Sequence, residues 1–297
     1  MTRKKSFKSG YVSVVGLPNV GKSTLLNRLV GSRLSIVTPK PQTTRTTMRG
    51  ICTTDDYQII FLDTAGIHQP RDKLGRYMVD TARLTFQEAD IIYMMVHCTP
   101  PGRGEKELIE QVAAAGKDTF LIINKVDLVP KNTLLPLIEQ YGSRMDYKEI
   151  VPVSALTGDN VDKLLDLTVA HLPEGPAYFP EDIVSDQIER EFIAEFIRES
   201  IYLNTKDEIP YSTAVVIEDM KERERGGAYI SALIYVEKDS QKGIIIGRGG
   251  SMIKKIGAEA RREIERFLGY SVYLDMQVKV EKKWRESAQA LKKLGYR

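Results

Sequence analysis

The nine residues Gly16, Leu17, Pro18, Asn19, Val20, Gly21, Lys22, Ser23 and Thr24 combine glycines, a lysine and hydroxyls at the spacing G-x-x-x-x-G-K-[ST]. Small side chains let backbone N–H groups close on phosphate oxygens, and a helix opening directly after the loop adds a favourable field. Lys22 can then bridge the terminal phosphates, and the Ser23 hydroxyl can bind Mg²⁺. Further along, FLDTAG places Asp63 at the end of an apolar run, where it can hold the same ion through water. Gly66 can turn its N–H toward a γ-phosphate.

NKVD, covering Asn124, Lys125 and Asp127, follows another apolar run. A carboxylate at Asp127 can accept from both the ring N–H and the exocyclic amine of guanine. Adenine lacks that amine and would leave the carboxylate unpaired, a discrimination of ~10⁴-fold or more. Ser154, Ala155 and Leu156 can offer backbone N–H groups to the guanine carbonyl. An ATPase or kinase reading fails on Asp127, so GTP and GDP are the expected ligands.

These groups need a scaffold that brings strand ends together. YVSVVG, YQIIFLD, DIIYMMVH, DTFLIIN and EIVPV read as strands, with helix-spaced apolar residues near 22–31, 73–86, 103–116, 131–141 and 160–171. Strands with almost no polar alternation belong to a mainly parallel sheet covered on both faces, so residues 1–172 are expected to form a doubly wound α/β domain. Its ligands should sit at the carboxyl ends of the strands. Between the first helix and the second of these strands, PKPQTTRTTMRG (39–50) has no helical period and many threonines. It is expected to stay mobile until a γ-phosphate and Mg²⁺ order it.

A proline-rich stretch, 173–184, reads as a linker. The order then changes to a helix near 187–203, two β-rich runs, a glycine-rich loop, a helix near 251–268 and a strand ending near 280. Residues 185–297 are therefore expected to form a smaller α+β domain with a basic C-terminal extension. In the loop, Gly247, Arg248, Gly249 and Gly250 open a helix carrying Lys254 and Lys255, in the pattern of a type II KH domain. There the loop clamps a single-stranded nucleic acid backbone. Ile245 and Ile246 are candidates for an apolar base groove, with core packing the competing reading. Net charge agrees: Lys242 to Arg297 carries 14 Lys and Arg against 6 Asp and Glu, whereas Glu181 to Gln241 carries 7 against 15.

With both halves in view, the chain resembles the Era family of bacterial GTPases, within the larger group that includes TrmE and EngA. The resemblance implies a P-loop GTPase domain followed by a KH domain. It implies that Thr44, directly before Arg45, joins Ser23 and Asp63 around Mg²⁺, with Thr43 as the fallback. Lys22, Thr44, Gly66 and Asn19 are then the residues of hydrolysis. Ile67 stands where many GTPases carry a water-orienting glutamine and has no polar group to offer, so slow intrinsic turnover is expected. His68 beside it reads as an exposed turn residue rather than a replacement base. In relatives with an apolar residue there, an asparagine matching Asn19 helps bind K⁺. The implied partner is single-stranded RNA near the 3′ end of 16S rRNA in the 30S subunit, with ribosome maturation as the task.

Two other readings stay open. One is an RNA chaperone whose nucleotide site is structural, which Ile67 favours. The other is a peripheral GTPase held weakly to a membrane surface by the basic residues near Lys279 to Arg297. No apolar run approaches the ~20 residues that span a bilayer. The basic start has neither a long apolar core nor a small-residue cleavage site, so no secretory leader is expected. Cys52 and Cys98 are too few for a disulfide framework or a zinc site. A monomer in a reducing cytoplasm, or on the inner face of the cell membrane, is expected.

Overall fold

Runs of apolar residues without polar interruption cannot face water on either side, and the chain stacks them into the middle of a sheet. The computed structural model describes residues 6–223 and 226–296. β1 (Lys8–Gly16), β2 (Met48–Thr53), β3 (Tyr57–Asp63), β4 (Ile91–His97), β5 (Asp118–Asn124) and β6 (Glu149–Val153) form one sheet in the order β2-β3-β1-β4-β5-β6. Every pairing is parallel except that of β2 with β3.

Helices α1 (Lys22–Val30), α2 (Lys73–Glu88), α3 (Arg103–Ala115) and α4 (Leu134–Gly142) connect the strands, and α5 (Val161–His171) follows the last of them. Ile92, Met94 and Val96 of β4 pack with Phe86 of α2, Leu108 of α3 and Tyr141 of α4. The intervening Tyr93 hydrogen-bonds Thr168 of α5, so the sheet has a helical layer on each face. The ends of β1, β3, β5 and β6 all point to one edge, which is where the candidate residues lie.

Strand β2 takes in the end of the 39–50 segment, expected to be mobile: Met48 to Gly50 pair antiparallel with β3. Gly50 permits this: a Cβ there would come 2.8 Å from Leu26 and Val30 of α1. The stretch 173–184, expected as a linker, is strapped along the same unit. Ser9 N donates to Pro173 O at 3.2 Å, the Gln58 side-chain oxygen accepts from Tyr178 N and Phe179 N, and Ile51 N donates to Val184 O. Prolines remove donors yet leave carbonyls, so a proline-rich segment can still be tied down as an acceptor.

A second unit contains α6 (Glu189–Asn204), β7 (Ala214–Glu222), β8 (Ala228–Val236), α7 (Asp239–Ile246), α8 (Ser251–Leu268), β9 (Val272–Val280) and α9 (Ala288–Lys293). Its sheet runs β7-β8-β9, with β8 antiparallel to β7 and parallel to β9. Helix α7 was not anticipated ahead of the glycine-rich loop, where Gly243 and three isoleucines carry no helical signal. Its start is fixed by the buried Gln241, whose side-chain oxygen accepts from Glu237 N at 2.8 Å and Lys238 N at 3.1 Å. The C-terminal extension is part of this fold. Trp284 is fully buried and donates to Ser212 O at 2.9 Å, while Leu291 and Leu294 are also buried. No described helix is long and apolar enough to cross a membrane.

Two segments from earlier in the sequence, Ile36–Thr43 and Pro70–Tyr77, also belong to the second unit. The first unit accordingly consists of the chain up to Ser35, Thr44–Gln69 and Met78–Asp186.

Candidate nucleotide site and nucleic-acid groove

The phosphate loop turns directly from β1 into α1. Gly21 precedes the helix with φ +101°, and a Cβ there would lie 2.3 Å from Asn124 Nδ2, so both conformation and space require glycine. Lys22 is buried and donates to Gly16 O and Leu17 O, each at 3.2 Å. Burial pulls its ammonium down to about 8, partly opposed by the charge of Asp63. A phosphate arriving at this loop would stabilise the charged form further, which is the state that bridges phosphates.

Three oxygen donors converge at the helix start. Ser23 Oγ lies 2.9 Å from Thr44 Oγ1 and donates to Asp63 Oδ2 at 2.8 Å. Asp63 is fully buried and its Oδ1 accepts no hydrogen bond. Burial raises its carboxyl above the usual range, against the pull of Lys22 and Ser23. An orphaned carboxylate oxygen beside two hydroxyls is a donor set for a hard divalent cation such as Mg²⁺. Among the described residues no cluster of three or more His, Cys, Asp or Glu exists. The remaining ligands must therefore come from phosphates and water, as in a nucleotide site. Thr43 is placed differently, donating to Lys40 O at 2.8 Å, so of the two threonines it is Thr44 whose hydroxyl lies beside Ser23.

Gly66 sits against the loop, where a Cβ would come 2.7 Å from Pro18 N. Ile67 turns away into the core. Its N–H donates to Gly16 O at 3.1 Å, and its side chain packs among Val15, Phe86, Met94 and Leu108. Burying such a side chain is worth about 2 kcal/mol, so the position contributes stability instead of a polar contact with water. His68 Nδ1 lies 2.7 Å from Gly66 O, which engages the ring as a turn donor.

On the base side, Asn124 binds protein backbone. Its Nδ2 donates to Val20 O at 2.7 Å and its Oδ1 accepts from Ala155 N at 2.9 Å, so it ties the phosphate loop to the loop after β6. Lys125 Nζ donates to Asn19 O at 2.9 Å. Ser154 N is engaged with Asp159 O. Asp127 and Leu156 are exposed, as groups meant for a ligand would be. Two contributors escaped the sequence reading. Arg28 donates to Ala155 O at 2.7 Å and also to Leu156 O, fixing the base loop from α1. Asn27 accepts from Leu34 N and Ser35 N, holding the chain as it leaves α1. Both read as ordinary polar positions on a helix, and no spacing signal marks them.

In the second unit, Gly249 and Gly250 have φ of +60° and +78°, and a Cβ on either would meet nothing within 4 Å. Their neighbourhood is open, so a sugar–phosphate chain can approach the peptide. Arg248, Lys254 and Lys255 are exposed around the loop. Beside it, between α8 and β9, lies a groove of about 340 Å³ floored by Ile253, Gly257, Ala258, Leu274 and Met276. Lys254 and Arg261 add basic groups to its lining, and Tyr273 an aromatic ring. Gly257 lets the methyl of Met276 fill space that a Cβ would occupy at 2.7 Å. The expected groove residues are corrected here: Ile245 is 0 % exposed in the core and Ile246 is half-buried, while residues of α8 and β9 line the groove. Ile245 belongs to α7, whose buried face the sequence reading could not orient.

Comparison with known proteins agrees with this layout. The family described as 50S ribosome-binding GTPase matches residues 11–125, and the KH domain family matches residues 208–285. The chain is 50% identical to the GTPase Era of Geobacter metallireducens over 292 residues, covering 98% of each. It is 49% identical to that of Ruminiclostridium cellulolyticum over 293 residues, again 98% of each. Among solved structures, Era in complex with MgGDPNP and nucleotides 1506–1542 of 16S ribosomal RNA superposes with a TM-score of 0.95 at 40% identity, covering 98% of this chain and 99% of that one. Aquifex aeolicus Era bound to GDP and AlF₄⁻ gives a TM-score of 0.94 at the same identity and coverage.

Proposed function

The chain belongs to the Era family of GTPases, and from that premise we propose a GTP-hydrolysing switch that binds single-stranded RNA near the 3′ end of 16S rRNA during small-subunit maturation. The first unit handles the nucleotide and the second the RNA. The observation that carries the reading is the meeting of Ser23, Thr44 and the orphaned oxygen of Asp63 beside the buried Lys22. The groove beside Gly249 and Gly250, lined by apolar and basic groups, supports the RNA half.

In this reading Gly16 to Thr24 cradle the phosphates through backbone N–H groups, and Lys22 spans the terminal two. Ser23, Thr44 and Asp63 would hold Mg²⁺, which supplies positive charge to the phosphate oxygens when bound. Gly66 offers its N–H to the γ-phosphate. Asp127 reads guanine, while Asn124 acts by binding the phosphate loop to the Ser154–Leu156 loop. With Ile67 in the core, no side chain at that position orients water, and the uncatalysed attack is left slow.

The relative's complex with an RNA fragment makes the test direct. Labelled single-stranded RNA is titrated against the GDP-bound and GDPNP-bound forms at one fixed salt concentration, because charge neutralisation makes affinity salt-dependent. At least a fivefold difference is expected, the lower end of usual coupling. Equal affinities would reduce the protein to an RNA binder with an unconnected nucleotide site.

Asn19 is assigned to a K⁺ site. It is exposed in the loop with φ +65°, a conformation asparagine tolerates, and its own carbonyl is held by Lys125 Nζ. Hydrolysis is expected to be faster in K⁺ than in Na⁺. In Asn19→Ala the two rates should become equal, with GDP affinity little changed, and a surviving K⁺ response would remove the assignment.

A further inference from the structure

Residues 36–43, directly before Thr44 in the chain, belong with helix α6 to the second unit. Residues 36–43 lie along α6 and make polar contacts to one face of it. Val37 N donates to Glu199 Oε1 at 3.2 Å. Lys40 Nζ donates to Tyr202 O and Thr205 O, satisfying carbonyls that the end of a helix leaves unpaired. Tyr202 OH donates to Gln42 O at 3.3 Å.

The last of these contacts comes from Arg198. Its side chain is only 2 % exposed. Glu195 fixes the guanidinium through two parallel hydrogen bonds, Nε to Oε1 at 2.7 Å and Nη2 to Oε2, and the ring of Tyr202 lies 5.2 Å beneath it. Held in this fork, Nη2 also donates to Thr43 O. A planar guanidinium with its carboxylate partner has little rotational freedom left, so it holds that carbonyl at a fixed point. The next residue is Thr44, whose hydroxyl meets Ser23 beside Asp63.

We propose that Arg198 is a positioning residue for the nucleotide site: by gripping the Thr43 carbonyl it sets the peptide on which Thr44 reaches the Mg²⁺ of a bound nucleoside triphosphate. The inference rests on the metal-site reading above and adds the group that aims the threonine. A charge this deeply buried is satisfied in part by its hydrogen bonds to Glu195 and to the Thr43 carbonyl. A metal ligand at Thr44 matters for the triphosphate more than the diphosphate, because switch segments of this kind are ordered by the γ-phosphate and its Mg²⁺.

The test uses the full chain with Arg198→Met, which keeps an unbranched side chain and removes the donors. GDPNP affinity is expected to fall about tenfold and the Mg²⁺ concentration for half-maximal hydrolysis to rise by a similar factor, with GDP affinity unchanged. A readout independent of the nucleotide is tryptic cleavage of nucleotide-free protein after Arg45, two residues beyond Thr43, which should quicken. Lys40→Met loosens the same segment from an accessible position and should shift GDPNP affinity in the same direction, by roughly threefold; this covers the case in which Arg198→Met fails to fold.

An unchanged Mg²⁺ requirement in folded Arg198→Met would overturn the proposal, as would parallel losses of GDP and GDPNP affinity. If Arg198→Met does not fold, unchanged GDPNP affinity in Lys40→Met would overturn it. A wild-type protein with no Mg²⁺-dependent hydrolysis would instead sink the functional reading itself.

Discussion

Asp127→Asn is expected to lower GTP affinity by ~10⁴-fold and to bring xanthosine triphosphate up toward the level GTP had. The carboxylate accepts two hydrogen bonds from the guanine edge. An amide in its place offers one acceptor and one donor, so it faces the guanine amine with a like-for-like clash of donors. Xanthine carries a carbonyl where guanine carries the amine, and the new donor pairs with it. Asp127 is exposed, so the change should leave thermal stability within experimental error. Calorimetric titration with GDP, ADP and xanthosine diphosphate reads the outcome. If ADP binds wild type as tightly as GDP, or if Asp127→Asn keeps its preference for guanine, the base site has been placed wrongly.

The second large effect is expected from the paired replacement Arg248→Asp and Gly249→Asp. It removes one phosphate-binding cation, adds two negative charges where a polyanion must lie, and puts a side chain into the open space against the peptide. RNA affinity should fall by roughly 100-fold or more, and the salt dependence of what remains should flatten, because fewer counterions are released on binding. GTP hydrolysis without RNA should be untouched. Filter retention of labelled RNA across a salt series decides the matter, and unchanged retention would contradict a nucleic-acid role for this loop. The groove gives a cross-check of the same assignment. Its lining joins apolar and basic side chains, the combination that lets bases shed water while the backbone stays paired with charge.

The parts of this molecule that were legible in the sequence are those in which chemistry fixes the spacing. A phosphate loop needs its glycines, lysine and hydroxyl within one turn of a helix start, so Gly16 to Thr24 could be read directly. Asp63 and NKVD were legible because a buried parallel strand ends abruptly, leaving a polar residue at its tip. Strands β1, β3, β4 and β5 stood out for the same reason, as apolar runs that only a sheet covered on both faces can hide.

What escaped depended on pairing, capping and packing that residue type and spacing do not mark. Strand β2 needs β3 beside it and α1 above Gly50 before its mixed sequence makes sense. Residues 173–184 look unstructured until Gln58, buried at the sheet edge, is seen receiving Tyr178 and Phe179. Helix α7 starts under a glutamine cap that propensity does not register. Ile245 went to the core and Ile253 to the groove because helical phase, not apolar character, decides which way each isoleucine points. Arg198 looked like any other charge on an amphipathic helix, and only its burial and its bond to Thr43 O set it apart.

The segments Ile36–Thr43 and Pro70–Tyr77, borrowed by the second unit from the early part of the sequence, bear on how this protein can be dissected. A cut after Asp186 looks natural from sequence alone, yet the piece it releases lacks both borrowed stretches and leaves the face of α6 that accepts Lys40 uncovered. The piece left behind keeps two loops stripped of the partners that shaped them. Grafting the RNA-binding half onto another nucleotide-binding scaffold would therefore demand transplanting three separate pieces of polypeptide in register, a constraint under which the two halves are expected to have been inherited together.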